Sequence, residues 1–97
     1  MAYDPGAIDA TLAAAVGDDP ALIAELRAAF LESAHRGLAA IEQAADDETW
    51  RAAAWRLKGL AASFGAVRLM TVATRATEAS AGDTVLLKRL RRAVAQL

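Results

Sequence analysis

Apolar residues recur at spacings of three and four along most of this chain, the period of helices lying on a core. A short periodic segment covers residues 8–16, Ile8 to Val16, and stops at Gly17. Asp19-Pro20 then marks a helix start. The Asp carboxylate accepts from free backbone N–H groups, and Pro in the first turn has no donor to leave orphaned. Leu22, Ile23, Leu26, Phe30, Gly37 and Ile41 keep helical spacing to about Ala45. Asp46-Asp47-Glu48 closes that helix and caps the next, with acids at the favourable N-terminal end. Over residues 48–64, Trp50, Ala53, Ala54, Leu57, Leu60, Ala61 and Phe64 form one stripe, ended by Gly65. A fourth helix is predicted over 67–80, with Leu69, Val72 or Ala73, and Ala76 inward, broken by Ala81-Gly82-Asp83. A fifth runs from Thr84 to the end through Leu87, Leu90, Val94 and Leu97. Short connections between such helices imply antiparallel neighbours. The expected fold is all-α: one domain, 1–97, an up-down antiparallel four-helix bundle with a short additional N-terminal helix across one end.

Composition agrees with that pattern. The chain has 97 residues, with only two prolines and six glycines among many alanines and leucines. It has no cysteine, which removes disulfides and thiolate metal sites. No apolar run approaches the roughly 20 residues needed to span a bilayer. Met1-Ala2-Tyr3-Asp4 lacks the basic start of a signal peptide, so a soluble cytoplasmic protein is expected. The net charge of −1 hides an asymmetry: residues 1–50 carry 10 acids and 2 bases, residues 51–97 carry 9 bases and 2 acids. Fields so separated steer an oppositely charged partner, or neutralise each other within the fold.

Trp55 departs from the apolar stripe. At about 100° per residue it lies roughly 160° from the centre of that stripe, near Leu57, Ala61 and Trp50. Its outer-face neighbours are Arg51, Ala52, Lys58, Gly59, Ala62 and Ala66. A large aromatic on a floor of Gly and Ala, with cations beside it, has the character of an interface anchor. The plainer alternative is a Trp folded onto the surface over a gap. Lys88-Arg89-Leu90-Arg91-Arg92 is expected to be a solvated face around Leu90 rather than a nucleic-acid site, since no groove-reading motif accompanies it. The sole histidine, His35, falls about 130° from the apolar face of its helix and is expected to be solvated. One histidine without clustered carboxylates is no metal site. No spacing supports a catalytic triad, a paired-carboxylate site or a phosphate-cradling loop, so neither a catalytic residue nor a cofactor is assigned.

The segment Ala53-Ala54-Trp55-Arg56-Leu57-Lys58-Gly59-Leu60-Ala61-Ala62-Ser63-Phe64-Gly65-Ala66 resembles the core motif of histidine-containing phosphotransfer (Hpt) domains. In that family the motif runs His-x-x-Lys-Gly, and the histidine carries the phosphoryl group. Lys58-Gly59, the alanines and the Phe-Gly-Ala ending are in place, and Trp55 stands in the histidine slot. Gly17-Asp18-Asp19-Pro20-Ala21-Leu22-Ile23-Ala24-Glu25-Leu26, with Phe30-Leu31-Glu32, resembles the family's second helix. The likeness covers nearly the whole chain and implies the same four-helix fold.

The resemblance further implies a docking face on the third helix for a response-regulator receiver domain or a hybrid histidine kinase. By position, Gly59 would let the partner approach and Lys58 would meet its acidic pocket, with Arg51, Arg56, Trp55 and Ala62 alongside. Phosphotransfer through Trp55 is ruled out chemically: an indole N–H only donates, and its lone pair belongs to the ring. The expectation is therefore a monomeric pseudo-phosphotransfer module that contacts neither nucleic acid nor membrane. Two alternatives stand beside it. One is an active phosphocarrier, in which Trp55 replaces a native histidine or His35 serves instead. The other is a helical interaction protein with unrelated partners.

Overall fold

The structure is a computed structural model that describes residues 5–17 and 19–97, with side chains from Ile8 onward. Met1 to Asp4 and Asp18, which enter the sequence reading, lie outside the described residues. The helices are α1 (Pro5–Val16), α2 (Pro20–Glu42), α3 (Asp47–Ser63), α4 (Val67–Ala76) and α5 (Thr84–Ala95). No strand occurs among the described residues. α2 lies beside α3, α3 beside α4, α4 beside α5, and α5 beside α2, while α1 packs, among the described residues, along α2.

The starts of α2, α3 and α5 follow side-chain chemistry. Asp19 Oδ1 accepts from the N–H groups of Ala21 and Leu22, Asp46 Oδ1 from Thr49 at 2.7 Å, and Asp83 Oδ1 from Leu86. The Thr49 N–H holds the Asp46 carboxyl below its ordinary range, because that bond favours the charged form.

Two helix ends fall short of the expected ones. α2 stops at Glu42 rather than Ala45, because Asp46 must be extended to cap α3 and residues 43–45 make the reversal. α4 stops at Ala76 rather than Ser80. The Trp50 indole N–H donates to the Ala76 carbonyl at 2.7 Å, and Thr77 Oγ1 donates to Thr74 O at 2.6 Å. The chain then tightens into three-residue turns, with Glu78 N–H on Arg75 O and Ala79 N–H on Ala76 O. α1 begins earlier than expected, at Pro5.

The core gathers Ile8 and Leu12 from α1, Phe30, Ala34, Leu38 and Ile41 from α2, and Trp50, Ala53, Ala54, Leu57 and Ala61 from α3. Leu69, Ala73 and Ala76 join from α4, and Leu90, Ala93 and Val94 from α5. Phe30 and Phe64 stack at 4.6 Å between ring centroids, worth about 0.5–1.5 kcal/mol beyond burial. Leu60, Leu87 and Leu97 are half-buried against this core, as are Ile23 and Leu26. Leu22, expected inward, is exposed: in the first turn of α2 its phase lies roughly 100° off the buried stripe. Gly37 brings α2 close to α3, since a Cβ there would stand 3.1 Å from Leu57 Cδ1.

Ala66 is the second correction to the expected surface: it is buried, not part of the outer face of α3. α3 ends with Gly65 in the left-handed region, at φ 69°, and the Ala66 N–H returns to Ala61 O at 2.9 Å. In this Schellman end the residue after the glycine folds back against the helix it follows.

Candidate functional site

The outer face of α3 is built by helical phase. With Trp50, Ala53, Ala54, Leu57 and Ala61 inward, the opposite side presents Glu48, Arg51, Ala52, Trp55, Arg56, Gly59 and Ala62, all exposed. Trp55 keeps 55% of its surface accessible, against 0% for Trp50 five residues earlier. A Cβ added to Gly59 would meet nothing within 4 Å, so the floor beside the ring is open.

Lys58 is half-buried, and its ammonium lies 4.3 Å from the centroid of the Trp55 ring. Residues three apart are neighbours on a helix, and a cation over an indole face is attracted by about 0.5–1 kcal/mol at an exposed site. The spacing of Trp55 and Lys58 makes this contact readable in advance. The family resemblance alone assigns Lys58 only to a partner. Trp55 and Lys58 form one unit, an aromatic plate with a positive charge on one face.

Among the described residues, Arg51, Arg56 and Lys58 enter no ion pair. Arg27 pairs with Asp9, joining α2 to α1, and Arg36 pairs with Glu32 within α2. Arg91 meets Glu42 at 2.6 Å, so this arginine of the basic run ties the basic half to the acidic half. Lys88, Arg89 and Arg92 are exposed around buried Leu90, as the solvated-face reading expects. Asp47 does more than sit in a first turn, since its carboxylate accepts from the Ala81 N–H at 2.8 Å and ties α3 to the α4–α5 turn.

His35 is exposed beside the Arg36–Glu32 pair. No group of three or more His, Cys, Asp or Glu side chains among the described residues is placed to hold a metal. No described helix is long and apolar enough to cross a membrane. A shallow cleft of about 570 Å³ lies between α1 and α2, lined by Asp9, Ala13, Pro20, Ile23, Ala24 and Arg27. None of its lining residues belongs to α3, and its charged side chains, Asp9 and Arg27, bond to each other.

One exposed apolar residue of the neighbouring helix was not read as such from the sequence. Val67, the first residue of α4, is 52% accessible. Its phase, opposite Leu69, Ala73 and Ala76, is the signal that places it outward.

No family model, curated protein or solved structure matches this chain.

Proposed function

We propose that this chain is an Hpt-like, up-down antiparallel four-helix bundle that docks response-regulator receiver domains without carrying phosphate. The observation that carries this reading is Trp55. It stands in the slot where the resembled motif has its histidine, it is exposed, and it rises from a floor of Ala52, Gly59 and Ala62 beside unpaired cations.

Such a face favours a protein partner with an apolar protrusion framed by carboxylates. Trp55 supplies contact area, and Arg51, Arg56 and Lys58 supply the charge. A receiver domain or a hybrid histidine kinase in the cytoplasm is that partner in this reading, and the protein acts as a monomer. It would compete with a genuine phosphotransfer protein or sequester a regulator. A phosphoryl group has no acceptor at Trp55, because the indole nitrogen has no free lone pair.

The test is a titration with a panel of receiver domains, each with and without a phosphoryl mimic, followed by calorimetry and Trp fluorescence. A Trp50→Phe variant leaves Trp55 as the sole emitter. Saturable binding is expected, with Trp55→Ala losing about 2 kcal/mol or more. Binding to no receiver, or unchanged affinity of Trp55→Ala, overturns the proposal. Acid-labile phosphate on the chain after incubation with a phosphorylated receiver would favour an active carrier instead.

A further inference from the structure

The docking face does not end at the edge of α3. The Trp50 indole on Ala76 O and the Asp47 carboxylate on Ala81 N–H join the start of α3 to the end of α4. These two bonds set the helices antiparallel, with Val67 level with the Gly59–Ala62 turn of α3. Arg68 leans to α5, where its guanidinium meets Gln96. Val67 precedes it by about 100° of helical phase and so leans the other way, towards α3.

On α3, Lys58 falls within about 20° of Asp47 in phase and marks the side next to α4. Its ammonium is drawn back over the Trp55 ring, towards the helix N-terminus. That leaves the level of Ala62 low. Trp55 with Lys58 rises on one side, and Val67 rises on the other from the neighbouring helix.

We infer that these residues form a two-helix notch, Trp55 and Val67 as walls and Ala62 as floor, which takes an apolar side chain from a carboxylate-bearing protein surface. The inference rests on the proposed docking role of α3 and extends its footprint to α4. Charge selects the occupant. Lys58 borders the notch, and Arg51 and Arg56 are exposed on the same helix around Trp55, so a partner with carboxylates around its protrusion is favoured. A second copy of this chain is disfavoured, because a two-fold pairing of this face brings two sets of three cations together with only Glu48 on each side to offset them.

A matched pair of variants tests the notch. Val67 and Val85 are both exposed valines in the first turn of a helix, at 52% and 58%, and Val85 lies on α5, which is beside α4 and α2 rather than α3 among the described residues. Val67→Ser and Val85→Ser are titrated with the receiver panel beside wild type and Trp55→Ala, with thermal unfolding of each recorded. Val67→Ser is expected to weaken binding about tenfold and Val85→Ser to leave it unchanged. If Trp55→Ala loses affinity and Val67→Ser does not, the notch is overturned and docking on α3 stands. Equal losses in the two valine variants also overturn it. If wild type binds no receiver, the docking role falls and the notch falls with it.

Discussion

Trp50 and Trp55 sit five residues apart on α3, about 140° apart in phase, and meet opposite surroundings. Trp50 is fully buried, with its indole N–H satisfied by the Ala76 carbonyl. Trp55 is mostly exposed, with a lysine over its ring and glycine and alanine beneath it. One residue type thus serves as a bolt between α3 and α4 and as a plate facing solvent. The contrast separates the helix into a face whose changes register in stability and a face whose changes leave stability nearly untouched.

The largest effect expected is from Trp50→Ala, which should cost about 3–5 kcal/mol through lost burial and a cavity. For a domain stable by roughly 5–15 kcal/mol this is a large fraction, read by urea denaturation followed by far-UV circular dichroism. Trp50→Phe keeps most of the burial and removes the indole donor from Ala76 O, for a cost of about 1–2 kcal/mol. Ala76 O retains the Ala79 N–H at 3.1 Å, which limits the loss. Trp55→Phe should change stability by less than about 0.5 kcal/mol. Equal costs for the two Phe variants would erase the distinction between the faces.

The glycines sharpen the same contrast by about 1 kcal/mol. Gly59 is an exposed glycine inside a helix, and nothing stands where a Cβ would go. Gly59→Ala should therefore stabilise the fold by about 0.5–1 kcal/mol. The same change should weaken receiver binding if a partner rests on that floor. Gly37→Ala makes the same helix-propensity gain, but its methyl meets buried Leu57 at 3.1 Å. Its net gain should fall below that of Gly59→Ala, measured as the difference in denaturation midpoints. A larger gain at Gly37 would mean that the α2–α3 contact is looser than the structure has it.

Legibility in the sequence followed the same division. The starts of α2 and α3 could be read because the capping group, at Asp19 and Asp46, is carried by the residue itself. The outward phase of Trp55 and the inward phase of Trp50 came from periodicity alone. The ends at Glu42 and Ala76 could not be read, because they depend on where another element lies: the α3 cap in one case, the Trp50 indole in the other. Ala66 has the phase of an outer residue only if α3 continues, and Gly65 ends α3 before that. In the sequence Val67 reads only as the start of α4, and any bearing of its outward phase on α3 emerges only when two helices are set side by side. The role of Trp55 is a different matter. Its setting is structural, but the partner enters through the Lys58-Gly59 motif and its neighbours.

The smallest effect tests whether Trp55 and Lys58 are one unit. Lys58→Met keeps the length of the apolar stem and removes the charge that lies 4.3 Å from the ring centroid. Paired with Trp55→Leu in a double-mutant cycle, it should give a coupling of about 0.5 kcal/mol in urea denaturation, the lower end for an exposed cation–π contact. Stability alone barely registers such a term, so fluorescence supplies the second reading. In a Trp50→Phe background, Lys58→Met should alter the emission of Trp55, because the ammonium leaves the ring face. Zero coupling together with unchanged emission would place Lys58 away from the ring. The wall opposite Val67 would then be the indole alone, and Lys58 would remain only as a charge on the rim.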